Sequence, residues 1–476
     1  MHASPPLLRI LFGSFLGLAL GAACSGDDDD GPTDDGSTDD GSTDDGADDG
    51  ADATTRFQVR IENVAPWTAL KSGAQTTHTD GAGGPLSPGE AFEVTFTAGK
   101  GQNFSFAAML GESNDWFFAP GPAGIALHEE DGQPRSGDVT AEVALWDAGT
   151  EVDQEPSVGP DTGPMQSGPD QGAADPVAAV RELDGTIELG GGDSFALPSV
   201  DDMIRVTVTA GEDSEFTVRV ENVSTAGTLD TSTGSREIHV SPLVWALHIA
   251  PAPLFDVGEP DRGAGLERIA ENGGTGDLAS AMAALSGAHT PVSPGVYAVH
   301  AGGEPLYTDG SADRGLGLER IGEEGNVAPL AEALAASPPE GTSETGLFNT
   351  PVGADQPGAA RPGAAFELEI EARPGERLSF AAMFGMSNDW VFATPAAGVA
   401  LFDADGAPID GDVSDEIVVV DVGTEIDQEL AIGPFTGPQQ AGPDMGPADP
   451  IGTVRAADYP IDAASHVRVT VTPVEE

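Results

Sequence analysis

Asp115 and Asp147 stand 32 residues apart, and the pair recurs at the same spacing as Asp389 and Asp421. These acids are the side chains in the sequence most open to a chemical reading. Trp116 follows Asp115, Trp390 follows Asp389, and apolar runs of strand character flank all four acids. A carboxylate beside a core tryptophan lies at the edge of buried structure, where an unpaired charge is costly. Few Lys or Arg stand close in sequence to pair with it. A cation is the evident counter-charge, and Ca2+ takes hard oxygen ligands of this type. The structural alternative is that Asp115 caps one turn and Asp147 starts another, through side-chain to backbone hydrogen bonds.

Other signals carry less. The run DADGAPIDGD (403–412) lacks the ligand spacing and terminal Glu of a calcium loop and reads as a hairpin turn. Asp193-Ser194 resembles a hydrolase serine motif, but no His or oxyanion block accompanies it. Neither G-x-S-x-G nor H-E-x-x-H occurs. His248 and His300 recur in WALH and YAVH, which marks a structural position. No catalytic residue is assigned, and the chain reads as a non-enzyme.

The chain has 476 residues, with 19 Lys+Arg against 80 Asp+Glu and a formal net charge of -61. Such a chain repels nucleic acid, whose phosphates need Lys and Arg, and attracts cations. Cys24 is the single cysteine, which excludes an internal disulfide and a thiolate metal cluster. It ends the segment MHASPPLLRILFGSFLGLALGAAC, in which Arg9 precedes an apolar run from Ile10 to Leu20. That run is shorter than the roughly 20 residues needed to span a bilayer, but it has the length of a signal-peptide core. A cleavage site ending on Cys resembles the bacterial lipobox, although Gly21 stands where that motif usually has Leu. Residues 1–24 therefore read as a lipoprotein signal peptide and Cys24 as the lipidation site. Ser25 after the cysteine points to the outer membrane or cell surface, because Asp there would signal inner-membrane retention. Residues 25–55 repeat Gly-Ser-Thr-Asp-Asp without a large apolar side chain. They read as a disordered acidic tether, stretched by like charge.

From Arg56 the pattern turns to period two. FQVRIE (57–62), FEVTFT (92–97), RVTVT (205–209), FTVRVE (216–221), FELEIE (366–371) and VRVTVT (467–472) alternate apolar with polar residues. This alternation predicts antiparallel strands with one face on a core and one in water. The chain also repeats itself. SFAAMLGESNDWFFAP (105–120) returns as SFAAMFGMSNDWVFAT (379–394), LWDAGTEVDQE (145–155) as VVDVGTEIDQE (419–429), and GAADP (172–176) as GPADP (446–450), all at an offset of 274. FQVRIENV (57–64) returns as FTVRVENV (216–223) at an offset of 159, so the second copy carries 274 minus 159, or 115, extra residues. Within them SPLVWALH…GLERIAENG (241–273) is followed by SPGVYAVH…GLERIGEEG (293–325). Each is trailed by an Ala/Leu-rich run, DLASAMAAL (277–285) or NVAPLAEALAA (326–336). These two runs are predicted as helices, N-capped by Asp277 and Asn326.

Taken in order, the Ser-Pro strands, the GLERI segments, the F-A-A-M and S-N-D-W runs and WDAGTE resemble the spondin N-terminal domain, a family that includes predicted bacterial exported proteins. The resemblance covers 56–180 and nearly all of 212–476. It implies calcium-binding β-sandwiches that act as adhesion or matrix modules. Carried over residue by residue, it implies calcium ligands Asp115, Asp147 and Glu151 in the first copy and Asp389, Asp421 and Glu425 in the second. Both copies place Glu where the family has Asp, and Asp153 and Asp427 stand two residues further on. The expected organisation is all-β: a first, shortened sandwich at 56–211, and a second at 212–476 that carries the helical insertion. Three functional classes follow: an envelope lipoprotein that binds an extracellular protein or glycan, a structural surface coat, or an enzyme of unrecognised type.

Overall fold

The computed structural model describes residues Thr54–Val474 apart from Ala250 and His289. Cys24, the signal peptide and all of the expected tether except Thr54 and Thr55 lie outside the described residues. Thr55 already belongs to a strand, Thr55–Asn63. No helix among the described residues is long and apolar enough to cross a membrane.

The chain forms two antiparallel β-sandwiches, as the alternating runs predicted. In the first, a four-stranded sheet takes the order Ala91–Thr97, Glu215–Asn222, Ile204–Ala210, Gly137–Asp138. It packs on a larger sheet that runs Lys71–Gln75, Leu243–His248, Asn103–Met109, Trp116–Pro120, Val143–Asp147, Arg181–Leu183. The second sandwich repeats this with Ala365–Ala372, Thr55–Asn63, Val467–Pro473, Gly411–Asp412 over Thr342–Phe348, Val292–His300, Arg377–Phe384, Trp390–Ala393, Val418–Asp421, Arg455–Ala456. Strands of the small sheets alternate buried and solvent-facing residues, as in Ala365–Ala372. Strands of the large sheets do not: all five residues of Trp116–Pro120 are buried. Both faces of that sheet are covered, so both must be apolar.

Helices provide the second cover. Leu266–Asn272 and Gly276–Ala284 press Leu266, Ile269, Leu278 and Met282 onto Ala107, Phe117, Trp146 and Val244 of the first sandwich. Leu318–Glu324 and Ala328–Ala336 do the same for Val296, Ala381, Val391 and Val420 of the second. The two predicted helices are present, but their N-caps are Thr275 and Val327 rather than Asp277 and Asn326. The GLERI segments, not predicted as helical, form the other member of each pair. A glycine enables this packing. Gly265 has φ +106°, and a Cβ there would stand 2.5 Å from the Leu278 nitrogen; Gly317 repeats the situation at 2.6 Å from the Leu330 nitrogen. Only glycine adopts this backbone and clears the next helix.

The domain boundary expected at 211/212 requires correction. Ile204–Ala210 and Glu215–Asn222 are neighbouring antiparallel strands, registered from Ile204↔Asn222 to Ala210↔Phe216. Leu243–His248 pairs with Lys71–Gln75 and Asn103–Met109. The opening strand Thr55–Asn63, expected in the first sandwich, lies instead between Ala365–Ala372 and Val467–Pro473 of the second. The first sandwich is therefore built from roughly 69–288 and is inserted into the second, between its first and second strands. It is not shortened, because 241–284 supply its Ser-Pro strand and helix pair. The order of its segments is circularly permuted relative to the second sandwich. Buried asparagines mark the exchanged strands: Asn222 Nδ2 donates to the carbonyls of Leu86 and Ile238, and Asn63 Nδ2 to those of Thr290 and Ala360. FQVRIENV and FTVRVENV offer the same apolar face, so pattern does not distinguish their partners. Chain connectivity does. Only residues 211–214 separate Ala210 from Glu215, and closing so short a loop costs little entropy.

Candidate metal centre

Strand register brings the predicted acids together. Trp116 lies opposite Asp147, and Asp147 opposite Arg181, across three adjacent strands. Trp390, Asp421 and Arg455 repeat the arrangement. Asp115 immediately precedes its strand, so its carboxyl lies beside that of Asp147. Oxygens of Asp115, Asp147 and Asp153 all fall within 4.8 Å of one another, as do those of Asp389, Asp421 and Asp427.

Local hydrogen bonds hold each carboxylate in place. Asp115 Oδ2 accepts from Thr150 N at 3.0 Å, Thr150 Oγ1 at 3.1 Å and Glu151 N at 2.9 Å, and Asp115 Oδ1 accepts from Asn114 Nδ2. Asp147 Oδ1 accepts from Gly149 N, and Asp153 Oδ1 from the Trp116 indole at 2.6 Å. In the second copy, Asp389 Oδ2 accepts from Thr424 N, Thr424 Oγ1 and Glu425 N. Asp421 Oδ1 accepts from Gly423 N, and Asp427 Oδ1 from the Trp390 indole. The turn-forming role expected of Asp115 and Asp147 is therefore present: Asp115 Oδ2 accepts from the Thr150 and Glu151 amides and Asp147 Oδ1 from the Gly149 amide.

Glu151 and Glu425, expected as the third ligands, do not join these trios. Glu151 Oε1 accepts from Gly172 N and Glu425 Oε1 from Gly446 N, which turns both side chains toward the GAADP and GPADP loops. Asp153 and Asp427 take the third position, held there by the tryptophan indoles.

Sequence reading missed the arginines. Arg181 pairs with Asp147, with Asp153 at 3.2 Å and with Asp175 at 2.7 Å. Arg455 pairs with Asp421, with Asp449 at 2.6 Å and, more loosely, with Asp427 at 3.9 Å. Arg181 stands 34 residues after Asp147, and so does Arg455 after Asp421, one strand away in space. That shared spacing was the signal available. Two further acid groups also went unread: Asp170, Glu267 and Glu271, and their counterparts Asp444, Glu319 and Glu323. Here the i, i+4 glutamates of each GLERI helix share one face. Thr150 Oγ1 bridges the neighbouring groups, 3.1 Å from Asp115 Oδ2 and 2.9 Å from Glu271 Oε1.

One guanidinium pairs with three aspartates in each copy, and Asp115 or Asp389 adds a fourth carboxyl beside them, so negative charge remains in excess. Burial, together with neighbouring Asp115 and Asp153, pushes Asp147 up to about 9 despite Arg181. Burial likewise pushes Asp115 up to about 7, and burial with the Asp389 charge pushes Asp421 up to about 7. Asp389 is fully buried, and its Oδ1 finds no hydrogen-bond donor among the described residues. A buried carboxylate oxygen without a partner, inside a trio of hard oxygen ligands, fits a divalent cation such as Ca2+.

No family model matches the chain, and no curated protein matches it significantly in sequence.

Proposed function

We propose that this chain is a bacterial cell-envelope lipoprotein that presents two spondin-like, calcium-binding β-sandwiches for adhesion or ligand binding outside the cell. The observation that carries the proposal is the duplicated aspartate trio with the orphaned Asp389 Oδ1. Two copies of one acid constellation are retained in sandwiches that share their strand order but differ in the order of segments along the chain, and a cation relieves the excess charge in both. Asp115, Asp147 and Asp153 would hold one ion, and Asp389, Asp421 and Asp427 the other. The expected partner is an extracellular protein or glycan, with the membrane engaged through lipid on Cys24.

The metal is tested by thermal unfolding of the full chain with calcium, with magnesium at equal ionic strength, and with chelator. Calcium at 100 times its dissociation constant adds about 2.7 kcal/mol per site, so chelation should lower the melting temperature measurably. Asp389→Asn should abolish the response of the second sandwich. Equal effects of calcium and magnesium, or a wild-type response from Asp389→Asn, would overturn the metal reading. The anchor is tested separately by fractionation. Cys24→Ala should release the protein from membranes, and a fully processed variant that stays membrane-bound would refute lipidation.

A further inference from the structure

Each aspartate trio already has a cation in contact with it, the guanidinium of Arg181 or Arg455. We propose that these arginines are tethered counter-ions that compete with calcium for the same oxygens, and that their unequal hold makes the second sandwich the tighter calcium site. The proposal rests on the calcium reading above and adds to it the residue that sets affinity.

The oxygen inventory supports the competition. In the first sandwich Asp147 Oδ1, Asp153 Oδ1 and both oxygens of Asp115 accept hydrogen bonds from neighbouring groups. The oxygens left are Asp147 Oδ2 and Asp153 Oδ2, and both lie against Arg181 Nη2. A divalent ion entering the trio needs these two atoms. A guanidinium and a calcium ion held on the same oxygens repel each other strongly in so buried a place. Arg181 must therefore withdraw as the ion enters. It has a route and a resting place: its side chain is 32% exposed, and Asp175 holds Nη1 at 2.7 Å from outside the trio.

The second sandwich holds its arginine less closely at one of the three matched contacts, while the pairs with Asp421 and Asp449 match those with Asp147 and Asp175. Arg455 stands 3.9 Å from Asp427 Oδ2, against 3.2 Å for the matching contact of Arg181. The Asp427 side chain is 39% exposed where that of Asp153 is 9% exposed. Asp389 Oδ1 lacks a donor, whereas the matching Asp115 Oδ1 accepts from Asn114. An ion entering the second trio thus meets two oxygens free of close guanidinium contact and competes with Arg455 only at Asp421 Oδ2. In the first trio it competes at both of the oxygens left to it.

Equilibrium dialysis of radioactive calcium against the full chain tests this. Two classes of site are expected, and Asp421→Asn should remove the tighter one. In that background Arg181→Gln should tighten the remaining site at least tenfold, and Arg181→Lys, whose single ammonium cannot span Asp147, Asp153 and Asp175 together, should tighten it by a smaller factor. The lysine variant carries the test if the glutamine variant fails to fold. Without calcium, Arg181→Gln should lower the melting temperature of the first sandwich, and calcium should restore it. Unchanged or weakened calcium binding in the arginine variants would overturn the competition and leave Arg181 as a fixed structural ion pair, while loss of the weaker class in Asp421→Asn would overturn the order of affinity. Absence of calcium binding in wild type and every variant would overturn the metal reading itself, a distinguishable result.

Discussion

Expressed as separate chains, residues 56–211 and 212–476 should each fail to fold, whereas 69–288 should fold alone. The fragment 56–211 keeps the strand Thr55–Asn63 almost whole but none of that strand's partners. It also loses Glu215–Asn222 and Leu243–His248, an inner strand of the four-stranded sheet and the second strand of the larger one. Phe216, Val218, Val220, Leu243 and Leu247, all at most 2% exposed, leave the core with them. Burying an apolar side chain of this size contributes about 2 kcal/mol, so five amount to roughly 10 kcal/mol, comparable with the entire stability of an ordinary domain. The fragment 212–476 lacks an inner strand of its own four-stranded sheet, where Phe57, Val59 and Ile61 belong. The fragment 69–288 retains every strand of the first sandwich and its helix pair. Circular dichroism melts and tryptophan emission decide the matter. A cooperative transition in isolated 56–211 would show that the strand exchange is not the stable pairing. Mixing the two failed halves should restore a single transition, because together they contain every strand.

In calcium-free buffer, stability should fall as pH rises from about 6.5 to about 9, the reverse of an ordinary acidic protein. Asp147 and Asp421 have folded pKa values of about 9 and about 7, above the ordinary 3.8 of a free aspartate. Between those limits the folded state holds protons that the unfolded state has released, so each unit of pH costs up to about 1.4 kcal/mol per such group. Stability from these groups is complete below the unfolded value and is lost as pH climbs through the folded one. Glu267 and Glu323, each pushed up to about 7 by burial, act in the same direction. A loss on the order of 3 kcal/mol across the window is expected, as a marked fall in melting temperature. His466 acts oppositely but elsewhere. Burial pushes it down to about 4, so the unfolded chain takes up its proton first, and stability from this group falls only as pH drops below about 6.5. Asp147→Asn, which mimics the protonated carboxyl, should flatten part of the alkaline fall, and saturating calcium should abolish most of it. A calcium-free profile that rises or stays level from pH 6.5 to 9 would contradict the buried-acid account.

The sequence by itself determined the strands, because period-two alternation is a local property that a half-buried strand cannot avoid. It also determined that two sandwiches exist, since blocks at one constant offset cannot be read as a single copy. Asp115, Asp147, Asp389 and Asp421 were legible for a similar reason: each adjoins an apolar strand in the chain itself, and all but Asp421 adjoin a tryptophan as well. The tertiary structure decided which sandwich owns which strand. Thr55–Asn63 and Glu215–Asn222 are nearly interchangeable in pattern, and only the hairpin through 211–214 and the pairing of Leu243–His248 with Asn103–Met109 separate them. Tertiary structure likewise decided the third acid of each site. Glu151 and Asp153 are two residues apart and equally plausible in sequence, but the Trp116 indole holds Asp153 and a loop amide turns Glu151 away. It also supplied the counter-charge. Arg181 is remote from Asp147 along the chain and its direct neighbour across one strand pair, and electrostatic interaction depends on distance in space.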